Sequence, residues 1–270
     1  MFISYQGLPG AYSHITALRV AQQLGVDPGN LREYSTFKEV WESVNEDTLA
    51  VVPIENSRAG SVHDNLYNFL RYDCKIIGEA NTEINHALLS LEDTIQEVHT
   101  VYSHPQALSQ CYTFLERHHL VPMEYFDTAG AAKYIASHPQ KGVAAIASEE
   151  AGRLYKLHTL QQNIQDQDGN STRFFVLASK ESKVDYPEKK GKMTILFQAR
   201  DIPASLYKCL GAFATNVVNL TKIESIPSFQ DPFMYMFWLE FQGKSEDDAI
   251  LKSLDELRFF TKNIQVLGEY

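Results

Sequence analysis

An α/β fold in two parts follows from three features of the sequence. Short apolar strands alternate with helices of period 3.6 over residues 1–180, a charged stretch with Pro187 and Gly191 interrupts the pattern at 181–192, and six further elements follow in the order strand, helix, strand, strand, helix, strand. Alternating strands and helices predict parallel βαβ units in an open sheet. Two such groups joined by extended crossovers predict two lobes, one over about 1–80 plus 160–180 and one over about 81–159, with a ligand cleft between them. The last six elements have the ferredoxin-like βαββαβ order and predict a separate domain over 193–270.

Each element has a local reason. Residues 2–5 (FISY) read as a strand, residues 6–10 (QGLPG) as a turn, and Ala11, Ile15, Leu18, Ala21 and Leu24 mark one face of a helix that stops at Gly25. A strand at 32–34, a helix from Thr36 through Val40 and Val44, and an apolar strand at 49–52 complete a second unit. The chain is extended over 79–89, after which 98–102, 121–126 and 143–146 read as strands and 106–117, 128–137 and 149–154 as helices. A polar run at 161–169 leads to a returning strand at 174–178. Past the 181–192 linker, strands are predicted at 194–199, 218–223, 233–241 and 263–267, with helices at 204–214 and 247–259.

Composition narrows the function classes. The 270 residues are 44% hydrophobic and 21% charged, with 14 Gly and 10 Pro scattered along the chain, which excludes collagen-like and low-complexity proteins. No run reaches the roughly 18 apolar residues of a membrane helix, and MFISYQG has no secretory character, so no membrane partner and a cytoplasmic location are expected. Cys74, Cys111 and Cys209 are far apart with no metal-ligand spacing, which reads as reduced thiols and no metal. A net charge of −10 disfavours nucleic acid, while leaving room for a small anionic ligand where a pocket concentrates donors.

Four segments have the residue types of a binding or catalytic site. Gly7-Leu-Pro-Gly10-Ala-Tyr-Ser13 places a turn before a helix, whose free N–H groups and dipole favour an anion; an ordinary strand-to-helix turn reads the same way. In Val51–Val62 a buried strand ends in Glu55, Asn56, Ser57 and Gly60, polar groups at a strand's carboxyl end, with helix capping by Asn56 or Ser57 as the plain alternative. Ser103-His104-Pro105-Gln106 also follows a strand; the same four letters recur at 137–140 after a helix, where they read as a solvated loop, so position rather than wording is the signal. In Asn170-Ser171-Thr172-Arg173-Phe174, Arg173 has the fork geometry for a carboxylate and Phe174 offers an apolar wall; a capped turn, a surface arginine and a core phenylalanine would give the same letters. Neither a nucleophile elbow nor a phosphate loop nor a dinucleotide fingerprint occurs.

In order along the chain, PIENSxxGSV at 53–62, SHPQALxQC at 103–111, NSTRF at 170–174 and NLTKIES at 219–225 resemble the prephenate dehydratase family, and the resemblance covers essentially the whole sequence. It implies a catalytic domain over 1–180 with a two-lobed fold of the type 2 periplasmic-binding-protein kind, and an ACT domain over 193–270. It further implies a carbon–oxygen lyase of phenylalanine biosynthesis that turns prephenate into phenylpyruvate, water and carbon dioxide without a cofactor. The family's essential threonine maps onto Thr172, which donates a hydrogen bond to the departing hydroxyl or relays a proton from Glu55, His104 or solvent. Arg173 is the expected grip on the carboxylate that persists, helped by N–H groups near Ser57 or Ser103, with Asn56, Gly60, Gln106 and Phe174 completing the substrate site.

In the C-terminal part the resemblance places L-phenylalanine, as effector, at Ala204, Ser205 and Leu206 and at Asn219, Leu220, Glu224 and Ser225, in a homodimer or homotetramer. Two departures stand against it: Pro203-Ala204-Ser205-Leu206 where Pro-Gly-Ala-Leu is usual, and Ile226 where the family has arginine. The helical chorismate mutase segment of bifunctional members is expected to be absent, because the first strand begins at Phe2. Two alternatives remain: an arogenate dehydratase, whose substrate carries an amino group in place of the keto oxygen, and a non-catalytic amino-acid-sensing protein with the same lobes.

Overall fold

A computed structural model describes residues 1–188, 190–227 and 235–270. Its elements are β1 (Phe2–Gln6), α1 (Tyr12–Leu24), β2 (Leu31–Tyr34), α2 (Phe37–Glu42), β3 (Thr48–Asn56), β4 (Gly60–Ser61), α3 (His63–Asn68), β5 (Cys74–Glu83) and β6 (Ala87–Ser90). There follow β7 (Thr100–Ser103), α4 (Pro105–Gln110), α5 (Tyr112–Arg117), β8 (Val121–Glu124), α6 (Thr128–Ser137), β9 (Val143–Ala147), α7 (Glu149–Tyr155), β10 (His158–Gln161) and β11 (Ser171–Ser179). The last six are β12 (Lys192–Ala199), α8 (Ser205–Thr215), β13 (Leu220–Pro227), β14 (Tyr235–Gln242), α9 (Asp248–Phe260) and β15 (Thr261–Glu269). The chain divides into two compact units, Met1–Asn65 with Ala80–Phe174, and Leu66–Glu79 with Phe175–Tyr270, so that 66–79 clusters with the C-terminal part.

The first unit holds two sheets. In one, β1 lies between β2 and β3 and is parallel to both. The other has the order β10-β6-β9-β7-β8, with β7 parallel to β8 and β9 but β6 antiparallel to β9 and β10. The α/β class therefore holds with mixed rather than purely parallel sheets. Helix α6 matches its predicted range because its start and its face are both local: Asp127 accepts the Ala129 N–H at 3.0 Å, and Ala129, Ala131 and Ala132 are buried. They pack in one cluster with Ala145 and Ala147 of β9, small side chains that allow the helix close to the sheet.

Two elements of this unit differ from the sequence reading. The single helix expected at 106–117 is interrupted at Cys111, whose φ of −116° and ψ of 21° leave the helical region. The cause is distant in sequence: Asp166 donates its N–H to the Gln110 carbonyl at 2.7 Å and accepts the Thr113 N–H on its carboxylate at 3.0 Å, so the 161–169 run docks into the break. Strand β10 was not anticipated, since HTLQ is largely exposed and carries no apolar alternation.

In the second unit β12 pairs antiparallel with β14 and β15, and β13 with β14, giving the expected βαββαβ sequence of elements. Met193, Ile195 and Phe197 of β12 pack on Cys209 and Phe213 of α8 and Leu257 of α9. On Trp238 pack Phe69, with centroids 5.1 Å apart, and Phe175, 6.1 Å away. Every residue of β12 after Lys192 is buried, the polar Thr194 and Gln198 included, and the Thr194 hydroxyl is bonded to Tyr270 OH at 2.7 Å. Ala204 caps α8 at φ 60°, the left-handed region where glycine is favoured, at a cost of about 1–2 kcal/mol. Ser205 and Leu206 open α8, Asn219 bonds Gln242 Oε1 at 2.9 Å just before Leu220 opens β13, and Glu224, two residues after its ion-pair partner Lys222 (3.2 Å), precedes Ser225. Ile226 is buried. Lys189 of the expected linker and Phe233 and Met234 of the expected strand 233–241 lie outside the described residues. Among those described, no helix is long and apolar enough to cross a membrane.

Candidate active site

A cavity of about 290 Å³ in the first unit collects parts of all four polar segments. Ala11, Tyr12 and Ser13 reach it from the start of α1, Asn56 and Gly60 from the β3–β4 turn, His104 and Gln106 from the start of α4, and Asn170, Thr172 and Phe174 from the return into β11. Larger hollows, of about 370, 610 and 670 Å³, each touch at most one of these segments. The size is that of a small-molecule site, and among the described residues the lining holds no Asp, Glu, Lys or Arg.

The orientation of the central amides follows from fixed backbone donors. Arg58 and Ala59 both donate N–H to Asn56 Oδ1, at 3.0 and 2.9 Å, so Nδ2 faces the other way. It donates to Asn170 Oδ1 at 2.9 Å and to Thr172 Oγ1 at 3.0 Å. Asn170 therefore presents its own Nδ2 to Gln110 Oε1, at 3.3 Å, and that oxygen also receives the His86 Nε2–H at 3.0 Å. Thr172 Oγ1 is an acceptor in this chain. Its own proton has no acceptor among the described residues and is available to a ligand.

His104 supplies a second donor. Its Nδ1 accepts the Gln106 N–H at 3.2 Å as the cap of α4, which in the neutral ring puts the proton on Nε2. Phe174, essentially fully buried, gives the apolar wall. The 137–140 copy of the same letters is exposed at the end of α6, as the sequence reading required.

Glu55, Ser57, Ser103 and Arg173 do not line this cavity. Strand β11 begins at Ser171, three residues before the expected start, held by Ser57 N–H to the Ser171 carbonyl at 2.8 Å and Ser171 N–H to Ser57 Oγ at 3.0 Å. Within a strand, side chains alternate; Thr172 and Phe174 face the cavity, and Arg173 faces away to pair with Glu55 Oε2 at 3.0 Å. Ser103 is fully buried and donates to the Ile146 carbonyl at 2.6 Å across the second sheet. The sequence reading missed His86, Gln110 and Thr128. Gln110 had a signal, lying one helical turn after Gln106, whereas His86 had none.

Burial pushes the His86 pKa below the usual histidine value, opposed by its bond to Gln110. Above about pH 6.5 the ring is neutral folded or unfolded; as pH falls below that, the unfolded chain takes up the proton first and stability declines. Thermal melts from pH 7.5 to 5.5 are expected to show a steeper acid decline for the wild type than for His86→Gln. Parallel curves would contradict the assignment.

An α/β scaffold with a ligand cavity lined by uncharged hydrogen-bonding groups, the Thr172 hydroxyl among them, is the class of protein that fold and site define. Residues 3–182 match the prephenate dehydratase family profile. The chain is 38% identical to arogenate dehydratase 2 of Petunia hybrida, covering 99% of this chain and 71% of the relative. Among solved structures it is similar to GqqA, described as a novel type of quorum quenching acylase, at 31% identity and TM-score 0.85 (99% of this chain, 97% of the other), and to the prephenate dehydratase of Staphylococcus aureus at 25% and 0.85 (both chains whole). The Arthrobacter aurescens prephenate dehydratase, solved in complex with L-Phe, shares the fold at 24% identity and TM-score 0.82 (100% of this chain, 89% of the other). The chain belongs to the prephenate dehydratase family.

Proposed function

We propose that the chain binds prephenate in the 290 Å³ cavity and converts it to phenylpyruvate in the synthesis of phenylalanine. In this reaction the bond from the ring to its carboxylate breaks, the electron pair enters the ring as the carbon–oxygen bond breaks, and the departing oxygen takes one proton, leaving as water beside carbon dioxide. The observation that carries the reading is the Thr172 hydroxyl, turned by Asn56 so that its proton is uncommitted and set on the same strand face as Phe174. A donor placed at the departing oxygen stabilises the transition state more than the ground state. His104 Nε2–H is the better placed proton source, because Glu55 is engaged with Arg173 outside the cavity. The ring carboxylate loses its charge on leaving, so an apolar wall at Phe174 favours its departure where a cation would hold it back.

The lining without a carboxylate supports the keto substrate over arogenate, whose ammonium would need one. An acylase reading needs a hydroxyl bonded to a base, and Thr172 is bonded instead to an amide N–H. Following phenylpyruvate formation from prephenate, with arogenate in parallel and an acyl-amide substrate as a third arm, separates the three: turnover of prephenate is expected, and none would overturn the reading.

We further infer a two-lobed catalytic domain of the periplasmic-binding-protein kind over 1–180 and an ACT domain over 193–270, paired between subunits as a dimer or tetramer with L-phenylalanine as effector. The βαββαβ order supports the second assignment. Calorimetry is expected to show phenylalanine binding weakened by the buried Ile226 and by the methyl of Ala204, improving in Ala204→Gly, which also relieves the left-handed strain. No heat at millimolar ligand in either protein would make the module structural.

A further inference from the structure

The start of α1 meets the cavity with donors that no described residue uses. Its cap residue Ala11 makes no side-chain capping bond, the first turn holds no acid, and the N–H groups of Tyr12, Ser13 and His14 have no acceptor among the described residues. Ser13 is nine-tenths buried and lines the cavity, and its hydroxyl has no partner among the described residues. The helices α4, α6 and α7 differ, being capped by His104, Asp127 and Ser148.

The turn before α1 is held in place. Gly10, at φ 93°, leaves no room for a side chain, because a Cβ there would lie 2.8 Å from Ala151 Cα. Its carbonyl accepts from Ser148 Oγ at 2.6 Å, its N–H donates to His14 Nδ1 at 3.1 Å, and the Pro9 carbonyl accepts from Tyr155 OH at 2.7 Å. Thr128, whose hydroxyl likewise has no partner among the described residues, lines the same cavity from the start of α6.

We propose that the free amides of α1 and the Ser13 hydroxyl form the subsite for the substrate carboxylate that survives into the product, a 2-oxo-acid carboxylate, with Thr128 as a further donor; the assignment rests on the reaction proposed above. A helix N-terminus with unused N–H groups and a buried hydroxyl matches an anion without any side-chain cation, which the cavity lacks. The surviving carboxylate keeps its charge throughout, so holding it equally in ground and transition state lowers KM and leaves kcat alone. The departing carboxylate is excluded from this place by the same logic, since its charge vanishes as the bond breaks.

The test titrates the full chain with phenylpyruvate by calorimetry and measures prephenate kinetics for the wild type, Ser13→Ala, Ser13→Thr and Ser13→Asp. Ser13→Ala is expected to raise the phenylpyruvate Kd and the prephenate KM about 10- to 100-fold, the range for a hydrogen bond to a charged group, with kcat within about twofold and Ser13→Thr close to wild type. Ser13→Asp is expected to abolish phenylpyruvate binding while raising Tm, because an acid in a first helical turn stabilises the helix. A purely structural serine would move binding and Tm together. Phenylpyruvate binding to Ser13→Asp at wild-type strength overturns the subsite. Prephenate turnover with a KM insensitive to Ser13 sinks the subsite and leaves the reaction standing; Ser13-dependent phenylpyruvate binding without prephenate turnover does the reverse. A wild type that neither binds phenylpyruvate nor consumes prephenate overturns both.

Discussion

Thr172→Ala is expected to lower kcat for prephenate by about two to three orders of magnitude, the usual cost of removing one preorganised donor from a transition state, with KM changed only a few-fold. The fold should tolerate it. The residue is only 9% exposed, yet the truncation removes one methyl and one hydroxyl, and Asn56 Nδ2 keeps Asn170 Oδ1 at 2.9 Å and the Ser171 carbonyl at 3.3 Å, so no buried donor is stranded. Three companions make the argument specific. Thr172→Ser keeps the hydroxyl and should keep most of kcat, whereas Thr172→Val keeps the shape and should behave like alanine. Asn56→Asp replaces the amide donor with an acceptor, so the Thr172 proton turns toward the carboxylate and away from the ligand; kcat should fall although the hydroxyl is still present. Kinetics with near wild-type kcat for Thr172→Ala would remove this residue from the chemistry.

What could be read from the residues alone was whatever local physics decides. Helix 128–137 was legible to the residue because Asp127 caps it and its small buried face is contiguous in sequence. The βαββαβ order was legible because the hydrophobic period switches cleanly at each element. The break at Cys111 was not, since it depends on Asp166, 55 residues on, supplying one donor and one acceptor to the interrupted turn. In the candidate site, polar residues at strand ends singled out Asn56, at the carboxyl end of β3, His104 and Gln106, just past the carboxyl end of β7 in the other sheet, and Thr172, at the start of β11, and all four line the cavity. The error over Arg173 and Phe174 was avoidable. Consecutive residues of a strand face opposite sides, so a phenylalanine wall and an arginine clamp could not share the cavity once 172–174 was assigned to the strand; placing the strand's start at residue 174 hid the conflict. Ser103 was mistaken for a similar reason, since the last residue of β7 still points into the sheet core, where its hydroxyl is taken by Ile146.

That geometry yields a prediction for Arg173 opposite to that of a clamp. Its side chain is 14% exposed and Glu55 is 37% exposed, so the pair is buried on the arginine side only. Arg173→Met removes a charge and leaves a carboxylate that water still reaches, so the cost should be about 1–3 kcal/mol, below the 3–5 kcal/mol of a fully buried pair. Glu55→Gln leaves the more buried guanidinium facing a neutral amide, and the double variant should be less destabilised than the two single changes added together, with a coupling of about 0.5–3 kcal/mol. Denaturant midpoints read the stability, and the prephenate KM reads the binding. A strut that braces β3 against β11, and so holds Asn56 and Thr172 in register, should lose stability first and let kcat drift in proportion. A clamp on the substrate would instead raise KM about a hundredfold with the midpoint unmoved, since a bidentate guanidinium–carboxylate contact is among the stronger ones a ligand can make. That second pattern would mean that the Arg173–Glu55 pair opens when substrate arrives, and it would transfer the surviving carboxylate from the start of α1 to β11.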